Sequence, residues 1–414
     1  MKFFETLNIV LMFAFLLCYA YQFAYIPLAH LLRAKPHKKA TLHRFAVLIC
    51  ARNEQTVICD LIDSLHAQTY PQDKLKIFVM ADNCTDATAC VARGAGATVY
   101  ERFDTAHVGK GYALDALLRN IAHDEPEGFD GYFVFDADNL LRPDYVERMN
   151  ETFSDGSDII TSYRNSKNYG DNWISAGYGL WFLRESKYLN HARTLLGTSC
   201  AVSGTGFLFS RRVLEEQGGG WPFHLLIEDI EFSVSHILDG YKIALCPEAE
   251  LFDEQPVTFR QSWRQRMRWS KGYLQVLRQY GGKLLAGIFK GSFSCYDMSM
   301  NILPAFVLSV LSTVSNLSLL TLQIANGAGA VEATLAILQM LGSMYLTLFV
   351  IGAITTATQW KKLHTAAWKK VLYAFTFPVF MFTYIPISIA ALFAKVEWKP
   401  ITHSVTAKQV NLIQ

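Results

Sequence analysis

The stretch Tyr132-Phe133-Val134-Phe135-Asp136-Ala137-Asp138 sets an apolar run directly against two carboxylates. An unbroken run of aromatic and β-branched residues suits a strand covered on both faces. The change of polarity at Asp136 then marks the carboxyl end of that strand. Outward from it the same pattern recurs. Strands are expected over 45–50, 75–81, 98–102 and 131–135, with helices over 54–66, 86–94 and 109–122. Such alternation builds an α/β fold, a mostly parallel sheet with helices on both faces. Ligands of these sheets bind beyond the carboxyl ends of the strands. Polar residues gather at those ends: Arg52, Asn53 and Glu54 after the first strand, Asp82, Asn83 and Asp86 after the second, Asp136 and Asp138 after the fourth.

Of the 414 residues, 51% are hydrophobic and only 18% charged. A soluble domain carries roughly a quarter charged residues. Low-complexity disorder and a disulfide-stapled module are excluded by these figures, and a net charge of +2 offers no bulk attraction to nucleic acid. The apolar excess is concentrated in runs without Asp, Glu, Lys or Arg, at 6–32, 301–324, 333–359 and 371–394. Each is longer than the roughly 20 residues a helix needs to cross a bilayer. An integral protein of the plasma membrane with about four spans is therefore expected. Arg33, Lys35, Lys38, Lys39 and Arg44 follow the first run, and Lys361, Lys362, Lys369 and Lys370 separate the last two. Basic flanks face the cytosol, so the long middle segment is expected there. The eight cysteines show no metal spacing and read as thiols in a reducing compartment. The implied organisation is an anchor and basic linker over 1–42, a cytosolic α/β domain over 43–258, amphipathic interface helices over 259–299, three spans over 300–395 and a tail over 396–414.

Carboxylates at i and i+2 project to the same side, so Asp136 and Asp138 can hold a hard divalent cation; acidic pairs in loops are more often just solvated. Asp82 caps the second strand, where helix capping is the plain alternative. Lys110 stands at a helix start between Gly109 and Gly111, an arrangement that suits a phosphate without the spacing of a P-loop. Gly204-Thr205-Gly206 lets backbone approach a ligand, or merely turns the chain. Glu228-Asp229 follows the apolar Leu225-Leu226-Ile227. Apolar surroundings raise a carboxylate's pKa and suit it to act as a base, whereas its plain role is to cap the next helix. Gln265, Arg268 and Trp269 fall at i, i+3 and i+4 and share one face of a helix. Phe259, Trp263, Met267, Leu274 and Leu277 form an apolar stripe flanked by Arg260, Arg264, Lys271 and Arg278, as a helix lying on a membrane surface requires.

Taken in order, Arg52-Asn53-Glu54, Asp82, Asp136-Ala137-Asp138, Gly204-Thr205-Gly206, Glu228-Asp229 and Gln265-x-x-Arg268-Trp269 resemble the membrane-embedded family-2 glycosyltransferases, which include the cellulose, chitin and hyaluronan synthases. The resemblance covers roughly residues 45–280. It implies a GT-A fold for the cytosolic domain, UDP-glucose or UDP-N-acetylglucosamine as donor, and Mg²⁺ or Mn²⁺ as cofactor. On this basis Asn53, Glu54 and Asp82 stand on the donor side, the latter two holding the uridine, with Lys110 near the diphosphate. Asp138, helped by Asp136, is implied to coordinate the metal, and Asp229 to deprotonate the acceptor hydroxyl with inversion at the anomeric carbon. Gly204, Thr205, Gly206, Glu228, Gln265 and Trp269 fall to the acceptor, while Arg268 steadies the departing UDP.

The activity implied is processive elongation of a β-linked polysaccharide and its passage across the bilayer. The alternative is transfer of one sugar to a membrane lipid; a catalytically silent scaffold is disfavoured by the complete set of carboxylates. A single span before the catalytic domain is closer to short chitin-oligosaccharide synthases and ceramide-type lipid glucosyltransferases. Nucleic acid is not an expected partner, and no secretion partner is named by the residues. Glu397-Trp398-Lys399-Pro400 is similar to segments that gate such sites from the cytosol, yet three spans after a cytosolic domain would leave that tail outside.

Overall fold

A computed structural model describes residues 2–33, 36–302, 304–326, 330–396 and 403. The segment Glu397-Trp398-Lys399-Pro400 lies outside the described residues. In chain order the elements begin with α1 (Lys2–Leu31), β1 (Phe45–Ala51), α2 (Ile58–His66), β2 (Leu75–Asp82), α3 (Thr88–Gly94), β3 (Thr98–Arg102), α4 (Lys110–Asp124) and β4 (Gly131–Asp136). They continue with β5 (Leu140–Leu141), α5 (Tyr145–Ser154), β6 (Ile159–Ser166), α6 (Trp173–Arg184), α7 (His191–Leu195), β7 (Phe207–Ser210), α8 (Arg211–Glu216), α9 (Glu228–Leu238) and β8 (Ile243–Asp253). The last are α10 (Phe259–Phe289), α11 (Phe293–Ile302), α12 (Pro304–Ala325), α13 (Ala330–Thr358), α14 (Ala367–Phe382) and α15 (Tyr384–Phe393).

The chain divides into two compact units. The sheet unit holds Leu28–Asn168 and Phe182–Pro256, and His403 belongs to it. Its strands run in the order β3-β2-β1-β4-β7-β6-β8-β5. The pairings β3–β2, β2–β1, β1–β4 and β6–β8 are parallel; β4–β7, β7–β6 and β8–β5 are antiparallel. The mostly parallel sheet expected from the alternation is thus a mixed one. The antiparallel members β7 and β5 are too short to carry a periodicity of their own.

Phe45, Val47, Ile49, Phe133, Phe135 and Tyr145 are fully buried in its core, each side chain stabilising the fold by roughly 1.5–3 kcal/mol. Register places the functional edge: Cys50 pairs with Asp136, Ala51 with Ala81 and Asp82 with Arg102. The loops after β1, β2 and β4 therefore leave the sheet side by side. Helix α2 starts later than expected because Asn53 takes φ 60° and Val57 and Ile58 bond back to the Glu54 carbonyl as a turn. Likewise α3 begins at Thr88, whose N–H is captured by Asp86 Oδ1 at 3.0 Å.

The helical unit holds the chain to Pro27, Tyr169–Trp181 and Val257–Val396. Among the described residues three helical stretches are long and apolar enough to cross a membrane: Lys2–Leu31, Ile337–Thr358 and Ala367–Phe393. The second of the four apolar runs falls on α12, whose apolar stretch among the described residues, Val310–Ala325, is shorter than a crossing. The run through α14 and α15 is interrupted at Thr383. Pro386 has no N–H to give to the Phe382 carbonyl and its ring crowds that carbonyl. Nearby, the Phe380 carbonyl is taken by Thr383 Oγ1 at 2.6 Å and by Arg266 Nη1 at 3.1 Å. On α10 the buried residues are Ser262, Arg266, Ser270, Gly272, Val276 and Leu284, whereas the stripe through Phe259, Trp263, Met267, Leu274 and Leu277 keeps partial or full exposure. Small residues, one guanidinium, Val276 and Leu284 seat the helix, and the predicted apolar stripe is not its buried face.

Candidate active site

The loops beyond β1, β2 and β4 bring most of the sequence-derived carboxylates of the sheet unit together. Asp136 ends β4 with its side chain 40% exposed, while Asp138 is buried. Lys110, the first residue of α4, donates to Asp136 Oδ1 and, at 2.7 Å, to the Gly204 carbonyl. Burial alone would depress the Lys110 ammonium, but Asp136 and Glu228 outweigh it and hold the group above its usual range. Asp138 Oδ2 accepts the Glu254 N–H at 2.7 Å. Burial opposes its ionisation, yet His403, Lys167, that N–H and Arg164 together hold it below the usual carboxylate value. Behind the pair, Thr205 Oγ1 accepts the Asp136 N–H at 2.8 Å and donates to Asn139 Oδ1. Thr205 is buried and staples the loop.

Glu54 is half-buried and accepts His403 Nδ1–H at 3.0 and 3.1 Å. Burial pushes its carboxyl up, against the pull of His403, with Asp138 and Asp136 adding to the rise. Asp82 is buried and paired across the strand with Arg102 Nη1 at 2.6 Å. Asn53 is exposed and spends its Oδ1 on the Thr85 N–H at 2.8 Å, so it ties two loops together.

Glu228 and Asp229 open α9, where a carboxylate complements the positive end of the helix dipole. Glu228 is buried and Asp229 half-buried. A Cβ built on Gly204 would lie 3.8 Å from Asp229 Oδ2 and 4.0 Å from Arg164 Nη1, so only backbone separates the base candidate from the Lys110 partner. Gly206 differs. With φ 66° and Leu251 Cδ2 only 1.8 Å from where a Cβ would stand, it faces the core beneath β8. Gln265, Arg268 and Trp269 are half-buried on α10 in the helical unit, where Trp269 meets Tyr178 edge-on at 5.7 Å.

The sequence reading missed Arg102, Arg164, Glu185 and His403. Arg102 carries a local signal, an arginine one strand over from Asp82. The others arrive from remote positions without one. Among the described residues no three His, Cys, Asp or Glu side chains converge as a ready metal cage. A hard cation that keeps its waters and takes substrate phosphates needs only one or two carboxylates, and the ionised Asp138 beside Asp136 fits that requirement.

The profile described as glycosyltransferase like family 2 matches residues 43–272, more than half of the chain. The chain belongs to this family. It is 28% identical over 269 residues to the probable glycosyltransferase YdaM of Bacillus subtilis (strain 168), covering 60% of this chain and 59% of that one. It is 25% identical over 249 residues to a β-monoglucosyldiacylglycerol synthase of Synechocystis, covering 56% and 48%. It is also 25% identical over 236 residues to a poly-β-1,6-N-acetyl-D-glucosamine synthase of Staphylococcus epidermidis, covering 56% and 54%. The match spans about half of the length of these curated relatives. Among solved structures, a mannosyltransferase of Pyrobaculum calidifontis in complex with GDP-mannose and Mn²⁺ superposes with a TM-score of 0.62 at 18% identity, over 94% of this chain and 99% of that one. That likeness establishes a glycosyltransferase fold for this family-2 chain.

Proposed function

We propose that this glycosyltransferase is a multi-pass membrane protein with a cytosolic catalytic unit, and that it transfers a sugar from a UDP-sugar to a hydroxyl acceptor at the membrane with inversion. The observation that carries the reading is the short backbone bridge at Gly204. Its carbonyl holds Lys110, and its α-carbon faces Asp229. A cation suited to a diphosphate and a carboxylate suited to a hydroxyl thus stand on either side of one residue.

In this reading Asp229 takes the acceptor's proton. The acceptor oxygen bonds to the anomeric carbon, and the bond from that carbon to the phosphate oxygen breaks, releasing UDP. Lys110 neutralises the diphosphate as it departs. Asp138 and Asp136 would hold Mg²⁺ or Mn²⁺, which when bound supplies further positive charge to the leaving group. Glu54 and Asp82 are assigned to the nucleoside. Arg268 is assigned to the diphosphate, and Gln265 and Trp269 to the acceptor, roles supported by their common face on α10.

For the acceptor, processive elongation of a β-linked polysaccharide is the leading reading, because the helix bearing Gln265, Arg268 and Trp269 precedes long apolar helices in the same unit. Transfer to a lipid is the second, favoured by the β-monoglucosyldiacylglycerol synthases among the relatives. The deciding experiment is UDP release by the full chain in nanodiscs with each common UDP-sugar and Mg²⁺ or Mn²⁺, the product being sized in parallel. A product that lengthens with time supports the synthase. A lipid-soluble product with one sugar establishes the second reading. Absence of release with every donor would overturn both.

A further inference from the structure

Ser203-Gly204-Thr205 is strained backbone at the centre of this site. The Thr205 N–H donates to the Ser203 carbonyl at 3.0 Å, closing a γ-turn on Gly204, whose φ is 80°. A γ-turn with positive φ is rare, and such a conformation persists only where the surroundings over-determine it. Three charged side chains do so here. Glu185 Oε1 accepts the Ser203 hydroxyl at 2.6 Å. Arg164 Nη1 donates to the Ser203 carbonyl and Lys110 Nζ to the Gly204 carbonyl, each at 2.7 Å.

Arg164 is itself fixed, with Nε on Asp253 Oδ2 at 2.8 Å and its guanidinium 3.7 Å above the Phe182 ring. Lys110 already has a role in the donor half. Glu185 has none, although it opens a single π-helical turn, Glu185–Asn190, between α6 and α7. Such turns occur often at functional sites because they re-aim side chains out of helical register. Its half-buried carboxyl is pushed up mainly by burial, with the charge of Asp229 adding to that and Ser203, Arg164 and Arg193 opposing it. The base candidate is therefore within electrostatic reach of Glu185.

We propose that Glu185 is a positioning residue for the acceptor half of the reaction: through Ser203 it holds the γ-turn that sets Gly204 against Asp229. The inference rests on the reading of Asp229 as the base. It adds no covalent step; the carboxylate only accepts a hydrogen bond.

The test is steady-state transfer by the full chain in nanodiscs, with donor KM and kcat measured separately. The variants are Glu185→Gln, Glu185→Ala, Ser203→Ala and the double alanine variant. Glu185→Gln keeps an oxygen that accepts the hydroxyl and is expected near the wild-type kcat. Glu185→Ala and Ser203→Ala are each expected to lower kcat about tenfold, the loss of one hydrogen bond to a charged group, with donor KM unchanged. The double variant should fall no further than either single one. Wild-type kcat in Glu185→Ala overturns the proposal. So do additive losses in the double variant, or a fall in kcat matched by a rise in donor KM and earlier thermal unfolding. Asp229→Asn separates the two levels. Transfer that survives it sinks the assignment of the base, whereas transfer lost there but intact in Glu185→Ala sinks only the positioning role.

Discussion

At the scale of single residues, Asp229 and Asp138 are assigned different work in the proposed reaction because their surroundings differ. Asp229 stands half-buried in the first turn of α9, while Asp138 is buried among His403, Lys167 and Arg164. Asp229→Asn is expected to cut transfer by roughly 10²–10⁴-fold, the usual worth of a general base, while UDP-sugar binding by calorimetry stays intact. Asp138→Asn should raise the Mg²⁺ or Mn²⁺ concentration needed for half-maximal UDP release, and chelation should abolish release until either ion is restored. His191 supplies a pH signature unrelated to catalysis. Burial, aided by Lys187 and His30, pushes its imidazole down to about 4, and its buried Nδ1 has no hydrogen-bond partner. A depressed histidine contributes stability above its ordinary pKa and loses it as pH falls toward the folded value. Thermal unfolding should therefore move to lower temperature between about pH 6.5 and 4, and His191→Gln should flatten that part of the profile. Which carboxylates cluster was legible in the sequence, since each ends an apolar run. That Asn53 and Thr205 are loop staples was not, because their partners Thr85 and Asn139 are fixed by loop geometry.

At the scale of elements, β7 is where the sheet departs from the parallel pattern. The chain enters it through Gly206, whose N–H bonds to the Val134 carbonyl at 2.9 Å. A methyl at that position has to displace Leu251 of β8 and sit at a φ of 66°. Gly206→Ala should therefore destabilise the sheet unit by roughly 1–3 kcal/mol, the cost of overpacking a core, read as an earlier unfolding transition with expression reduced. A glycine pair flanking Thr205 was legible as a site of close backbone approach. Which of the two faces the base and which faces the core was not, since that depends on β8, many residues later. Helix α10 shows the same limit. The amphipathic pattern was visible, but the side that seats the helix is set by Tyr178 and Phe380 around Arg266.

At the scale of the whole molecule, His403 bonds to Glu54 within the sheet unit, to which Leu28–Asn168 also belongs. In the multi-pass topology proposed above, position 403 is then expected on the same side of the bilayer as the sheet unit, which requires an even number of crossings between Val257 and Val396. Among the described residues the two helical stretches there that are long enough, Ile337–Thr358 and Ala367–Phe393, meet that requirement, and the shorter Val310–Ala325 is left over. An epitope appended at the C-terminus should be digested from the same side of sealed vesicles as the sheet unit; protection there would mean an odd number of crossings, with α12 spanning as well. The sequence by itself determined the strand–helix alternation, the carboxylates at the strand ends and the apolar runs, because each is a local pattern set by side-chain period and polarity. Only the tertiary structure decided the mixed order of the sheet, the use of residues 169–181 in the helical unit, the γ-turn between Lys110 and Asp229, and the arrival of Glu185 and His403. Those follow from contacts between segments remote along the chain, whose pairing leaves no mark in the local sequence of either partner.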